Sequence, residues 1–519
     1  MGKYIKLILN YSFFSIGIVL FTSQCSYAQE NTKSRLIILA DMGNEPDEEQ
    51  QMTHMILNNN EFDLEGLIAV TGKYLRPDSK DEFRRRTYPE LFIKIIDAYE
   101  KVYKNLQKHA QGWHSPDYLR SLVCSGQRAY GIDDVGEGKS SDGSKLIIKA
   151  FDKQDDRPIW IVVNAGSNTL AQALFDYEKN HSKQEFNSVL QKLRVFENGA
   201  QDNAGAWICS KYPNIHWIRS NYQTYAFGGP GANDGDLSVN LGPHFWGKYE
   251  YSVAGQNEWL KENVMQNHGA LGEVYPERRF HGFRDGGLGF MEGGGTIPWM
   301  GLVNKGLFDI DHPSWGGWGG RFSAEKVADF WSRHKDIKAD EIKNAPFYTF
   351  REVSDVWYNT KDGKTYEGDY VPVWRWREAM YNNLVCRMDW CLQPYNKANH
   401  QPKAVFNGDK NDDIIIISAV PGEKIELDAS ASSDPDGDAL EFLWWIYEEA
   451  GNYAGNLFIN EATKSKTFLK VPTGAAKKQI HLILQVKDKN SIASLFDYRR
   501  IIINVSGNYN HSEVSAQSD

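Results

Sequence analysis

Three short apolar runs, Leu36-Ile37-Ile38-Leu39-Ala40, Leu64 to Val70 and Pro158 to Val163, constrain the fold of this chain more than any other feature. Each is too short for a buried helix and is apolar at consecutive rather than alternate positions, the pattern of a strand covered on both faces. Between and after them lie the stretches Glu48 to Asn58, Arg84 to Leu106 and Thr169 to Tyr177, whose spacing predicts helices. Strands alternating with helices predict an α/β domain, a mostly parallel sheet with helices on both faces. Ligands of such sheets bind beyond the carboxyl ends of the strands, so chemistry is expected just after Ala40, Val70 and Val163.

The pattern changes at Asn396 to Pro402, after the helical tract Trp374 to Trp390. From there strand-like runs alternate with turn signals: Asp413 to Val420, Lys424 to Leu427, Leu440 to Tyr447, Thr467 to Val471, Gln479 to Asp488 and Tyr498 to Val505. They predict a small β-sandwich over residues 403–506, separate from an α/β domain over 33–395, with a polar, disordered tail at 507–519. The chain opens with Lys3 and Lys6, an apolar run from Leu7 to Phe21 and the small-residue site Ser26-Tyr27-Ala28, the layout of a signal peptide over residues 1–28. Export to the periplasm or beyond follows. Lipid anchoring at Cys25 is the alternative, against which stands the bulky Gln24 before it. No later run approaches the ~20 apolar residues of a membrane span. With 58 Lys plus Arg against 68 Asp plus Glu the net charge is −10, which argues against a nucleic-acid partner. Cys124, Cys209, Cys386 and Cys391 remain after cleavage, either as one or two disulfides or as buried thiols; the Cys386–Cys391 spacing does not suit zinc.

The loop Asp41-Met42-Gly43-Asn44-Glu45-Pro46-Asp47-Glu48-Glu49 falls where the first strand should end. So many carboxylates on one turn repel unless they are solvated, protonated or share a cation. The macrodipole of the following helix accounts for Asp47, Glu48 and Glu49 but not for Asp41 and Glu45, which precede it. Hard oxygen ligands of this kind suit Ca²⁺ or Mg²⁺.

These residues resemble a known family. Ile37-Ile38-Leu39 followed by Asp41 and Asp47-Glu48 resembles the acidic amino-terminal motif of nucleoside hydrolases. Asn60 to Thr71 resembles their second strand, and Asn164-Ala165-Gly166-Ser167-Asn168-Thr169-Leu170-Ala171 the turn after a later one. With its Asn44-Glu45-Pro46-Asp47 motif, the chain is more specifically similar to exported bacterial nucleoside-hydrolase-like proteins described as cellulose-binding, which carry a C-terminal immunoglobulin-like domain. The resemblance implies that Asp41 is base and metal ligand, that Asp47 and Glu48 bind or support Ca²⁺, and that Asn164 supplies a carbonyl. Two departures are visible: Glu48 stands where the parent motif has Asp, and Gly293 to Gly295 occupy the region where relatives often place a late Asp. In the second domain Leu427 to Ser430, Ser433 to Asp438 and Leu443-Trp444-Trp445 resemble immunoglobulin-like modules of the polycystic-kidney-disease and cadherin-like type. Their Asp434, Asp436 and Asp438 either hold Ca²⁺ or stiffen a turn through Asx hydrogen bonds.

The segment from Glu197 to Arg321 is rich in Gly, Trp and Asn and lacks periodicity, as functional loops do. Glu197 or Asp202 is a candidate acid to pair with Asp41, joined by Glu45 and Asp47. The amides of Asn44, Asn164, Asn168, Asn198 and Asn221 are candidates for sugar hydroxyls, and Trp207, Trp315 and Trp318 for stacking on sugar faces. Trp315-Gly316-Gly317-Trp318 reads equally as an aromatic corner bracing the loops, and His312 as a structural histidine. The expected function is hydrolysis of a glycosidic bond in a carbohydrate or polysaccharide. A non-catalytic carbohydrate-binding protein on a disarmed hydrolase fold is the alternative.

Overall fold

The computed structural model describes residues 33–228, 259–276, 278–279, 289–290, 293–304, 306–328, 331–332, 334–360 and 363–507. The signal-peptide segment, Cys25 and residues 508–519 lie outside them, as do residues 229–258 of the glycine-rich middle.

An eight-stranded sheet forms the centre. Its strands are β1 (Ser34–Ala40), β2 (Phe62–Ala69), β3 (Val123–Ser125), β4 (Ile159–Val163), β5 (Leu193–Asn198), β6 (His216–Ser220), β9 (Val327–Ala328) and β10 (Tyr348–Arg351), while Arg278–Arg279 (β7) and Gly289–Phe290 (β8) pair apart from it. The spatial order is β3-β2-β1-β4-β5-β6-β10-β9, parallel except for the antiparallel β9 at the edge. Alternate residues of β1 explain its unbroken apolarity. Leu36, Ile38 and Ala40 join the core under helices α1 (Pro46–Ile56) and α2 (Pro89–His109). Ile37 and Leu39 join the opposite core, beneath helices Asp142–Phe151, Ser167–Asn180, Lys183–Lys192 and Ala204–Lys211.

The helix expected over Arg84 to Leu106 is interrupted. Glu82–Arg85 forms a 3₁₀ turn and the α-helix starts afresh at Pro89, because proline suits a first helical turn but disfavours helix in the residue before it. Ala204–Lys211 and β6 emerge inside the segment that lacks periodicity. The helix is built on Ala, Gly and Cys packed between neighbours, so it carries little amphipathic signal. All four described cysteines are free thiols, and those of Cys386 and Cys391 donate to the backbone carbonyls of Ala493 and Arg387. Among the described residues no helix is long and apolar enough to cross a membrane.

The C-terminal strands pair as expected. β13 (Ile415–Ala419), β15 (Leu440–Ile446), β17 (Gln479–Asp488) and β18 (Phe496–Val505) form a sheet in the order β13-β18-β17-β15, opposite the pair β14 (Lys424–Asp428) and β16 (Lys466–Lys470). A β-hairpin of the first domain, β11 (Asp355–Asn359) and β12 (Lys364–Gly368), lies nearby. One face of the larger sheet, with Trp444, Leu482, Leu484, Ile501 and Ile503, fills the sandwich interior. Side chains alternate across a strand, so Ile483, Phe496 and Tyr498 point the other way and join the core of the α/β domain. Arg500 fastens the junction through the carbonyls of Leu307 and Gly316. The Trp315-Gly316-Gly317-Trp318 motif belongs to this junction. Trp315 stacks on His312 with centroids 3.9 Å apart and meets His481 at 5.5 Å, while Trp318 is buried against Tyr498. Of the two readings of that motif, the bracing corner is the one observed, and neither ring is free to stack on a sugar. Asp434 accepts from the backbone N–H of Asp436 and Asp438, the Asx turn anticipated for that loop.

At the β5–β6 edge a fully buried Arg219 lies between two carboxylates, Glu197 at 2.7 Å and Glu341 at 2.8 Å. Removing Glu197 leaves Arg219 with Glu341 alone and strips the acceptor from both the Arg219 Nε–H and the Trp217 indole N–H in a medium that cannot solvate them. Glu197→Ala is therefore expected to lower stability by about 3–5 kcal/mol, measured by denaturant unfolding. A loss under about 1 kcal/mol would mean that water replaces the carboxylate.

Candidate functional site at the switch point

The strand order reverses direction between β1 and β4: β2 and β3 extend the sheet one way, β4, β5 and β6 the other. The connections from these two strands leave on opposite sides and open a crevice at their carboxyl ends. Asp41 follows β1 and Asn164 follows β4, so the chain supplies a carboxylate and an amide at that crevice. The turn after β4 approaches closely: Gly166 has φ +62° and a Cβ there would stand 2.7 Å from the Thr71 carbonyl, which requires glycine.

A polar recess opens at this point, lined by Asp41, Asn44, Glu45, Asp47, Glu48, Tyr74, Asn198, Gln201, Tyr225 and His334. Its volume of about 20 Å³ holds one water molecule and no sugar ring. Asp41 is 1% exposed and accepts from Asn44 Nδ2 at 3.1 Å. Burial pushes its carboxyl up to about 7, with the charge of Glu45 adding to the rise; hydrogen bonds from the loop backbone and Asn44, and the Arg84 guanidinium, act the other way. Glu48 is also buried and accepts from Gln51 Nε2 at 3.0 Å and Asn164 Nδ2 at 3.1 Å. Four buried amide oxygens, on Asn44, Asn164, Asn198 and Gln201, find no donor among the described residues. Such oxygens are expected to meet water, a hydroxyl or a cation.

The donor types suit Ca²⁺, amide as well as carboxylate oxygens. Among the described residues the only three acidic side chains whose oxygens gather within 4.8 Å are Asp434, Asp436 and Asp438; Asp41, Asp47 and Glu48 do not form such a group. The Gly293 to Thr296 turn does reach the acidic loop, as its resemblance to the late Asp region implies. A Cβ on Gly294 would lie 2.7 Å from Asp47 Oδ2, and one on Gly295, at φ +85°, would lie 2.4 Å from Asn164 Nδ2. Backbone thus occupies the place from which another carboxylate would have to point.

Other candidates prove structural. Glu197 accepts from Trp217 Nε1 at 2.9 Å as well as from Arg219, so it is engaged in the buried ion pair and is not placed to pair with Asp41. Asp202 accepts from the Ser167 hydroxyl and from the backbone N–H of Asn168 and Ala204, bracing the starts of two helices; burial raises it to about 6. Asn168 donates to the Ala129 and Gly131 carbonyls and anchors that loop. Asn221 donates to the Trp331 carbonyl, and its backbone N–H goes to Glu352. Trp207 packs edge-on to Tyr212 with Lys211 over its ring. Asn44, Asn164 and Asn198 do meet at the switch point. Four recess residues were not anticipated: Tyr74 and Gln201 lie just past the ends of β2 and β5, where the carboxyl-end rule could have found them, whereas Tyr225 and His334 arrive from loops without sequence signal.

Residues 35–322 match the family described as "Cellulose-binding Sde182, nucleoside hydrolase-like domain", and residues 424–505 match "Cellulose-binding protein Sde0182, C-terminal domain". A solved structure of a nucleoside hydrolase-related hypothetical protein from Saccharophagus degradans, associated with carbohydrate metabolism, is 34% identical with a TM-score of 0.76, over 92% of this chain and 100% of that one. An endo-fucoidan hydrolase of glycoside hydrolase family 107 aligns over 93% of this chain and 83% of its own, at 12% identity and a TM-score of 0.18, too low to indicate a shared fold. No curated protein matches. The first domain and nearly full-length structural likeness agree, and the chain belongs to the cellulose-binding Sde182 family, with a nucleoside hydrolase-like domain followed by that family's C-terminal domain.

Proposed function

We propose that this protein is an exported hydrolase that cleaves a glycosidic bond of a carbohydrate or glycan fragment, with Asp41 activating water. One observation carries the reading: a buried carboxylate at the switch point, raised to about 7, beside a recess sized for a single water and edged by amide oxygens without donors. A base is most effective when its pKa lies near the working pH. Ionised Asp41, held by Asn44, takes a proton from that water as its oxygen bonds to the anomeric carbon. The glycosidic C–O bond breaks, and the departing oxygen takes a proton from solvent at the mouth of the recess. Asp47 contributes negative charge opposite the oxocarbenium-like centre. The sugar lies across the mouth of the recess, beside Tyr74, Tyr225 and His334. No step is routed through a cation, since the carboxylates do not gather around one point. Export rests on the layout of residues 1–28, and a carbohydrate as partner on the family to which the chain belongs.

A second reading, carbohydrate binding without cleavage, is favoured by one feature: Glu197 and Asp202 are both consumed by structural bonds, leaving the acidic loop to provide every catalytic group.

Asp41→Asn is expected to lower release of reducing sugar from glycan oligosaccharides by about 10²- to 10⁴-fold with an unchanged circular dichroism spectrum. Unchanged turnover removes Asp41 from the mechanism, and absence of release from the wild type, with retention on polysaccharide, favours the binding reading. The rate, kcat/KM, should rise with pH and level off above about 7, because the base must be ionised. Stability runs oppositely. A carboxyl raised from 3.8 to about 7 binds more protons folded than unfolded across that window, so its contribution is present at low pH and is lost as pH rises through about 7. Asp41→Asn should therefore melt higher than wild type at pH 8 and lose that advantage near pH 4; the same difference at both values would show that Asp41 is not titrating. EDTA is expected to leave turnover unchanged, and loss restored by Ca²⁺ would assign the acidic loop as a cation site.

A further inference from the structure

A second cavity lies away from the switch point, where the sandwich docks on the α/β domain. It measures about 540 Å³, within the usual range of ligand sites, and opens to solvent. Trp357 comes from the β11–β12 hairpin, Trp374 and Trp376 from the segment before the helix Arg377–Asp389, and Leu443, Trp445 and Gln485 from the sandwich. Neither domain builds this cleft alone. Strand register explains the sandwich wall: Leu443 is paired with Gln485, and Gln485 with Tyr498, so the three share the face opposite the sandwich interior.

The rings are held rather than loose. Trp357 stacks on Tyr366 with centroids 6.0 Å apart, Tyr366 meets Trp374 edge-on at 5.9 Å, and Trp376 lies 5.5 Å from Trp445. The cations of the wall are engaged, and its one exposed acid is Glu448 at the rim. Arg375 lies 3.5 Å from Asp355 and 3.7 Å from Glu449 and donates to the Val356 carbonyl; Arg377 donates to the Phe227 and Gly228 carbonyls; Glu378 faces Lys487 at 3.4 Å. An anionic ligand would have to break these pairs. The Trp376 indole N–H, on a residue 2% exposed, has no acceptor among the described residues. Aromatic faces, a half-buried amide, an indole donor and arginines that are already engaged are suited to a neutral ligand with apolar faces and a rim of hydroxyls.

We propose that this interdomain cleft is a second carbohydrate site, holding a neutral sugar chain apart from the cleavage site and making the C-terminal domain part of the binding surface. The sugar class rests on the functional reading above; the location rests on the cleft itself. The test uses the full chain with cellohexaose in calorimetry and microcrystalline cellulose in co-sedimentation. Trp357→Ala is expected to weaken both by about tenfold or more, with Trp357→Phe restoring most of the loss. Leu443→Glu is the second variant. Its position is 37% exposed, so the fold tolerates the change while a carboxylate enters the cleft, and binding should fall likewise. Wild-type affinity in Trp357→Ala and Leu443→Glu, both folded by their melting curves, would overturn the proposal, as would absence of glucan binding by the wild type. Turnover of a short soluble substrate should be unchanged in Trp357→Ala, whereas Asp41→Asn should lose turnover and keep retention. Retention lost in Trp357→Ala alongside full turnover in Asp41→Asn would leave the cleft standing and overturn the cleavage mechanism.

Discussion

The constraint on which the molecule depends is that β1 is hydrogen-bonded on both edges, by β2 on one side and β4 on the other, at the point where the strand order reverses. Paired on both edges and covered by helices on both faces, β1 is apolar from Leu36 to Ala40, and Arg35 before that run is paired with Glu65. The first residue past that run is Asp41. Because the connections diverge there, the carboxylate lies at the floor of a crevice and not under a helix. A bulge near the other end of β1, between Leu36 and Ile37, places Glu65 beside Arg35, which it meets in a two-pronged, 2.9 Å ion pair. The strand thus has a satisfied charge at its amino end and an unsatisfied one at its carboxyl end.

Much of this was legible in the sequence, for reasons that also mark the limit. Consecutive apolar residues reveal strands buried on both faces, and β1, β2 and β4 were found that way. Sandwich strands, bounded by turns, matched the expected runs within about two residues. Elements whose burial is satisfied by small residues, such as Ala204–Lys211, leave no periodic trace. In the site, residues next to strand ends were readable because topology places strand ends. What could not be read was which of several acids is engaged: Asp41 follows a buried strand and Glu197 lies near the carboxyl end of another. Only the structure gives Glu197 an arginine partner brought by β6 and leaves Asp41 with an amide.

The tryptophan-rich segments illustrate the same limit. Trp315 and Trp318, separated by glycines, read either as a ligand platform or as a bracing corner, and in the structure they join two domains. Trp357 and Trp445, which carry no comparable motif, line the open cleft that the same junction creates. Glycines allow close approach, but they do not say whether the approaching group is ligand or protein. Here it is the sandwich itself, whose Arg500 takes the carbonyl of Gly316.

A bound divalent cation stabilises the ionised form of neighbouring carboxylates and would hold Asp41 low. Burial and the Glu45 charge raise Asp41 against the hydrogen bonds of its own loop and the Arg84 guanidinium. A cation at the acidic loop would return it to the low carboxyl of a ligand, whereas without one the same side chain is a proton acceptor with a midpoint near neutrality. The buried amide oxygens beside it suit either state, since each needs a cation, a water or a sugar hydroxyl to satisfy it.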